Sequence, residues 1–190
     1  MPNRIHYGIT NVYYATVTET LGTNGQYTET YGTPVRMIGA VGITLPASNE
    51  EVQFPADNDA NYFTQQVFSG YSGGTLELRT LDDDFRVAVF GETADTNNIL
   101  TESITDQPKY IALMFQFEGD ASATRHVLYR VSVGKPEIAS QTKSTTIPEQ
   151  TISLPITAGG RLSDGKVKAK ADATENATQY NAWFTAVYTA

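Results

Sequence analysis

Two alternating segments on either side of a short turn constrain this chain more than anything else in it. Residues 109–117 set Ile111, Leu113, Phe115 and Phe117 at every second position, and residues 124–133 do the same with Val127, Tyr129, Val131 and Val133. Side chains alternate between faces only in a strand, so the two runs predict a hairpin across Glu118-Gly119-Asp120 whose apolar face is the core. The same short-strand texture, Val, Ile, Thr, Tyr and Phe punctuated by Gly, Asn, Asp and Pro, covers nearly all of the chain. It predicts strands over 12–20, 27–31, 34–45, 62–68, 75–80, 152–156 and 166–171. Asn24-Gly25 supplies a tight turn between the first two. Gly39 and Gly42 mark bends, and Pro155 points to an edge or irregular strand. Ser69 to Gly74 reads as a turn, and the stretch 181–188, with Trp183, Phe184, Val187 and Tyr188, fits either a short helix or a closing strand.

One helix is expected at about 82–90. Thr80-Leu81-Asp82-Asp83 has the spacing of a capping box, and Thr80, Asp82 and Asp83 suit the positive end of a helix dipole. Leu81, Phe85, Ala88 and Val89 recur at helical spacing, and Gly91 stands where a left-handed terminator is wanted. Residues 46–60 hold Asn49, Glu50, Glu51, Pro55, Asp57, Asn58 and Asp59 around the isolated Val52 and Phe54, which predicts a long polar loop suited to binding.

At 190 residues the chain is long enough for one domain, 1–190, with a real core. It has no cysteine, which excludes a disulfide framework, Cys-ligated zinc, iron–sulfur clusters and thiol catalysis. The opening MPNRIHYGITNV has no apolar core and no run of about 18 apolar residues follows, so neither a signal peptide nor a membrane span is expected. The net charge of −8 is unevenly spread: residues 1–108 carry 14 acidic and 4 basic side chains, residues 109–190 carry 7 and 9. That split disfavours wrapping of nucleic acid and permits complementary contact between opposite ends of neighbouring copies.

Motifs for chemistry are weak. Gly70-Tyr71-Ser72-Gly73-Gly74 has the spacing of a nucleophile elbow, but a strand follows where the elbow needs a helix, and only His6 and His126 are possible bases. Asp57-Asn58-Asp59-Ala60-Asn61 begins like a calcium loop, yet Tyr62 and Phe68 occupy the positions that need glycine and a bidentate glutamate. His126 has no second ligand at metal spacing and reads as a solvent-side or interface residue. Lys166, Lys168 and Lys170 share one face of a strand, where lysines protect an edge more readily than they bind phosphate. No enzymatic activity and no cofactor or metal are expected.

Four stretches carry a family likeness: RIHYGITNVYYATVTE near the start, YGTPVRMIGAVGITL from Tyr31, LDDDFRVAVFGE from Leu81, and QPKYIALMFQFEGDASATRHVLYRVSVGKPEIASQTKSTTIPEQTISL from Gln107. They resemble the major tail tube proteins of long, non-contractile-tailed phages. The resemblance implies a β-sandwich or rolled β-barrel with one flanking α-helix. It also implies self-assembly into stacked hexameric rings, a hollow virion tail tube for DNA ejection, built in the host cytoplasm with tape-measure and other tail proteins as partners. DNA would pass without sequence-specific binding, and no membrane is involved. On this reading the 46–60 loop reaches the next ring, with Glu50, Glu51, Val52, Phe54, Asp57, Asp59, Tyr62 and Phe63 as the contact residues. The alternative is a monomeric carbohydrate-binding β-sandwich module that stacks sugars on exposed tyrosines and Trp183.

Overall fold

The computed structural model describes residues 7–119, 122–142 and 149–189, with the backbone alone for 59–61. His6 and Asp120 lie outside the described residues. Among these, twelve strands form: β1 (Tyr7–Leu21), β2 (Tyr27–Tyr31), β3 (Val35–Arg36), β4 (Ala40–Thr44), β5 (Ala47–Ala56), β6 (Asp59–Leu78), β7 (Thr93–Ala94), β8 (Leu100–Thr101), β9 (Ile111–Glu118), β10 (Arg125–Val133), β11 (Ile152–Gly159) and β12 (Lys168–Ala171). A short helix α1 (Asp83–Phe85) runs into a π-helical turn (Arg86–Phe90), and a second helix α2 (Ala177–Ala182) lies near the end. The protein is thus mainly β with one helical turn of about the expected extent.

All strands except β7 and β8 belong to one antiparallel sheet, in which β2, β1, β9, β10, β11, β6 and β4 are successive neighbours. β3 pairs with β1 at the near end of that path, and β4, a few residues further on, pairs with β6 at the far end. The stretch 35–44 therefore ties both ends together and the sheet rolls on itself. Bulges in β1 where Gly8 and Asn11 take positive φ add the curvature this needs.

The β9–β10 hairpin sits at the centre and is buried on both faces. Ile111, Leu113, Phe115 and Leu128 join Val12, Tyr14, Leu76, Leu78, Leu154 and Ile156 in a first core, closed by Phe85, Val89 and Phe90 of the helical turn. Ala112, Met114, Val127 and Tyr129 face the other way, into a second core with Ala15, Val17, Ala171 and Trp183. The expectation that Val127, Tyr129, Val131 and Val133 share one face is corrected here. A register shift between Leu128 and Val131 moves Val131 and Val133 to the first core.

Other elements also depart from the sequence reading. The segment at 46–60 is not a loop: it holds strand β5, paired with β6 from Ala47 to Ala56, a two-residue turn at Asp57-Asn58 and the start of β6. Its polar composition reflects exposure on both faces. Ser69 to Gly74 is not a turn either: β6 runs straight through, with positive φ at Gly70 and Gly73. Thr80 does not cap the helix. Asp82 holds the N-cap position without a side-chain cap, while Thr80 Oγ1 donates to the Ile38 carbonyl at 3.4 Å. Gly91 ends the turn at φ 78°, as its position required, and a Cβ there would stand 3.0 Å from the Gln107 carbonyl oxygen. Pro155 lies in β11 between β10 and β6, not at an edge. Its carbonyl accepts from the Gly134 amide at 2.8 Å, just past the end of β10, so the missing N–H falls where the ladder has already ended.

The C-terminal segment settles as helix α2 followed by turns, and it covers the second core. Trp183 is 2% exposed and donates from Nε1 to the His126 carbonyl at 3.3 Å. Phe184 stacks on Tyr13, ring centroids 4.5 Å apart, and Arg125 lies 3.7 Å over the Tyr180 ring. A buried Trp183 is no sugar platform, which removes one support of the carbohydrate-binding alternative.

Between β11 and β12 the turn is locked by charge. Arg161 is buried 4.6 Å over the Tyr129 ring, and its Nε donates to Asp164 Oδ1 at 2.8 Å. Asp164 also accepts from the Lys166 amide at 3.1 Å. The Arg161 guanidinium holds the Asp164 carboxyl well below the usual carboxylate range, with the Lys166 amide and ammonium adding to it. Ser163 donates from its amide to Glu29 at 2.9 Å, tying this turn to β2. These bonds fix where β12 begins.

Two outcomes follow. Trp183→Ala should cost about 3–5 kcal/mol in chemical unfolding followed by circular dichroism, because it empties the second core. Because the folded state depresses the Asp164 pKa, its contribution is fully present above the unfolded value near ~4 and fades as pH falls below it. Asp164→Asn should therefore lower the melting temperature at pH 6 and lose less further stability than the parent between pH 5 and pH 2.

Candidate functional site

β6 is much longer than the body of the sheet requires. Its ladder to β11 ends at Tyr71 and its ladder to β4 at Thr75. From residue 70 back to 59 it pairs only with β5, so 49–68 form a two-stranded ribbon that leaves the body. Ten residues of strand at ~3.3 Å each give a reach of about 30 Å. Asp57 and Asn58, at φ 50° and 63°, form the two-residue tip, the geometry of a type I′ turn that Asp and Asn tolerate well. The acid and amide cluster seen in the sequence is this turn.

At the root, Ser69 Oγ lies 3.1 Å from Ser48 Oγ, and Phe68 meets Tyr71 edge to face with centroids 5.4 Å apart. Gly70 makes the exit possible. It adopts φ 121°, and a Cβ there would collide with the Ala158 carbonyl.

The register divides the ribbon into two unlike faces. Opposite pairs Phe54–Phe63, Val52–Gln65 and Glu50–Val67 share one face; Gln53–Thr64, Glu51–Gln66 and Asn49–Phe68 share the other. The first is mostly apolar, with the Phe54 and Phe63 rings 5.9 Å apart. The second is mostly polar, with Gln66 Nε2 donating to Glu51 Oε2 at 3.1 Å and Gln53 bonding the same carboxylate. Tyr62, beside Phe63, is also exposed. Phe54 is 57% exposed, Phe63 47% and Tyr62 62%, so about half of each ring faces outward. Two strands alone are marginal in water.

All eight expected contact residues thus fall on one object, although on a ribbon and not a loop. Glu50, Val52, Phe54 and Phe63 lie on the apolar face and Glu51 on the other, Asp57 is at the tip, and Tyr62 lies in the irregular stretch between the Phe54–Phe63 and Ala56–Asp59 pairs. Asp59 opens β6 in its backbone, and its side chain is outside the described residues. Val67, Phe68, Gln53, Thr64 and Gln66 complete the ribbon and escaped the sequence reading. The signal for them was the recurrence of apolar residues on both sides of Asp57-Asn58, Val52 and Phe54 before it and Phe63, Val67 and Phe68 after it. The helix-end residues Thr80, Asp82 and Asp83 lie away from this ladder.

Sites with catalytic spacing do not assemble into one. Ser72 lies inside β6, its amide donating to the Pro46 carbonyl at 3.2 Å, so no strand-to-helix elbow forms. His126 stacks on Phe115 in β9, centroids 5.3 Å apart. Among the described residues no group of three or more His, Asp or Glu is placed to hold a metal ion, and no helix is long and apolar enough to cross a membrane. In comparison with known proteins, the chain matches no protein-family model and no curated protein.

Because the ribbon shares no core with the body, replacing residues 49–68 by Asn-Gly between Ser48 and Ser69 should leave a folded protein. Its thermal midpoint should fall within a few degrees of the parent, with Trp183 fluorescence unchanged. Gly70→Ala, by contrast, should destabilise by about 2 kcal/mol or more.

Proposed function

We propose that this chain is a structural subunit that self-assembles into rings, six-membered by the resemblance noted above, and that the rings stack into the hollow tail tube of a phage virion. DNA passes through that tube without sequence-specific recognition, and the subunit itself does no chemistry. The observation that carries the reading is the exposed ribbon, with one apolar face and two open edges.

Physical argument supports assembly over solitary function. Phe54, Phe63 and Val67 are exposed and Val52 half-buried, so covering them returns part of the about 1.5–3 kcal/mol that burial of each from full exposure would give. β2 and β5 each have a single neighbour in the sheet, so their outer backbone groups are open to another chain. A head-to-tail contact using two different patches either closes into a ring or propagates, and closure leaves no edge free. The acidic excess of residues 1–108 would discourage DNA from adhering to a wall built from them. Tape-measure and other tail proteins, in the host cytoplasm, are the partners this role calls for.

Negative-stain microscopy over a concentration series tests the proposal. The parent protein should give six-membered rings or hollow tubes, and F54S/F63S should give a monodisperse, folded monomer. A parent that stays monomeric at every concentration, or a monomer that binds glycans on an array, contradicts it.

A further inference from the structure

β12 and the ribbon are opposites in charge and alike in being incomplete. β12 pairs with β10 on one side only. Ala169 and Ala171 turn toward the second core, so Lys168 and Lys170 project from the opposite face and are exposed. The Arg161–Asp164 turn holds this short strand rigidly in place. The ribbon has acidic residues at 50, 51, 57 and 59, and no Lys or Arg occurs anywhere from residue 37 to residue 78. Among the described residues β5 pairs with β6 alone, which leaves its outer edge open.

Within one molecule these two edges do not meet. Lys168 Nζ lies 5.5 Å over the Tyr71 ring, at the ribbon's root, but beyond Gly70 the ribbon pairs only with itself and departs. We infer that the outer edge of β5 in one copy adds to the outer edge of β12 in a second copy, with Glu51, on the polar face of the ribbon, set against Lys168 and Lys170. This inference rests on the self-assembly reading and names the contact within it.

The chemistry selects for this partner. Lysines on an edge strand repel indiscriminate strand addition because most strands cannot neutralise them, whereas an acidic strand gains both backbone bonds and charge pairing. The contact uses two different patches, so each copy gives its ribbon to one neighbour and its β12 to another. Opposite charge also orients the encounter before the apolar face closes.

The test is a charge swap read by sedimentation and microscopy. K168E/K170E alone and E51K alone should each raise the concentration needed for assembly about a hundredfold, through like-charge apposition. An equimolar mixture of the two should recover assembly to within about threefold of the parent, because each variant then offers what the other's edge needs. Circular dichroism confirms the fold of each, and K168Q/K170Q serves if the reversed pair does not fold, with an expected rise of about tenfold. Assembly of both single variants at the parent concentration overturns this contact while leaving the tube reading standing, as does loss of assembly in each with no rescue on mixing. A parent protein that never assembles overturns the tube reading, and this contact with it.

Discussion

Burial of β9 and β10 on both faces is the constraint from which the rest of the architecture follows. A sheet with a single apolar face needs one covering layer, but here Ile111, Leu113 and Phe115 point one way while Ala112 and Met114 point the other, all below 3% exposure. The sheet satisfies the first set by rolling and by inserting Phe85, Val89 and Phe90. It satisfies the second by folding the C-terminal segment back so that Trp183 fills the outer core. The bulge between Leu128 and Val131 lets one strand serve both cores in succession.

Once those cores are full, the ribbon is surplus to the fold. Its apolar face joins neither core, and its exit passes through Gly70, where a Cβ would collide with the Ala158 carbonyl. The energetic consequence is uneven stability. The body holds interlocked long-range contacts, and the ribbon holds a two-strand ladder with no core, the kind of element that opens locally at low cost. A partner that covers it gains apolar burial and orders it in the same step.

Much of the body was legible in the sequence. β2 is read at its observed bounds, and β9 and β10 announce themselves through their apolar residues, although alternation alone puts Val131 and Val133 on the wrong face. Gly39 and Gly42 mark the break before β4 and its register shift, as their spacing suggested. What failed did so for physical reasons. Exposure on both faces removes the apolar contrast by which a strand is recognised, so β5 reads as a loop and its acids as loop chemistry. Gly70 and Gly73 look like a turn because positive φ serves a mid-strand kink as well as a reversal. Pro155 suggests an edge because sequence does not reveal that its partner on the β10 side is Gly134, one residue past the end of that strand. The contact residues named from the sequence nevertheless fall on one structural object, since exposed aromatic residues among acids are unusual wherever they occur.

Backbone hydrogen exchange on dilute and concentrated samples addresses the central idea most directly, namely that the ribbon lacks its partner until subunits meet. In dilute protein, amides of residues 49–68 should exchange orders of magnitude faster than those of β9 and β10, and they should become protected when the concentration is raised to where particles form. Ribbon amides as slow as the core in dilute monomer, or fast ones that stay fast in the assembled material, would contradict the account.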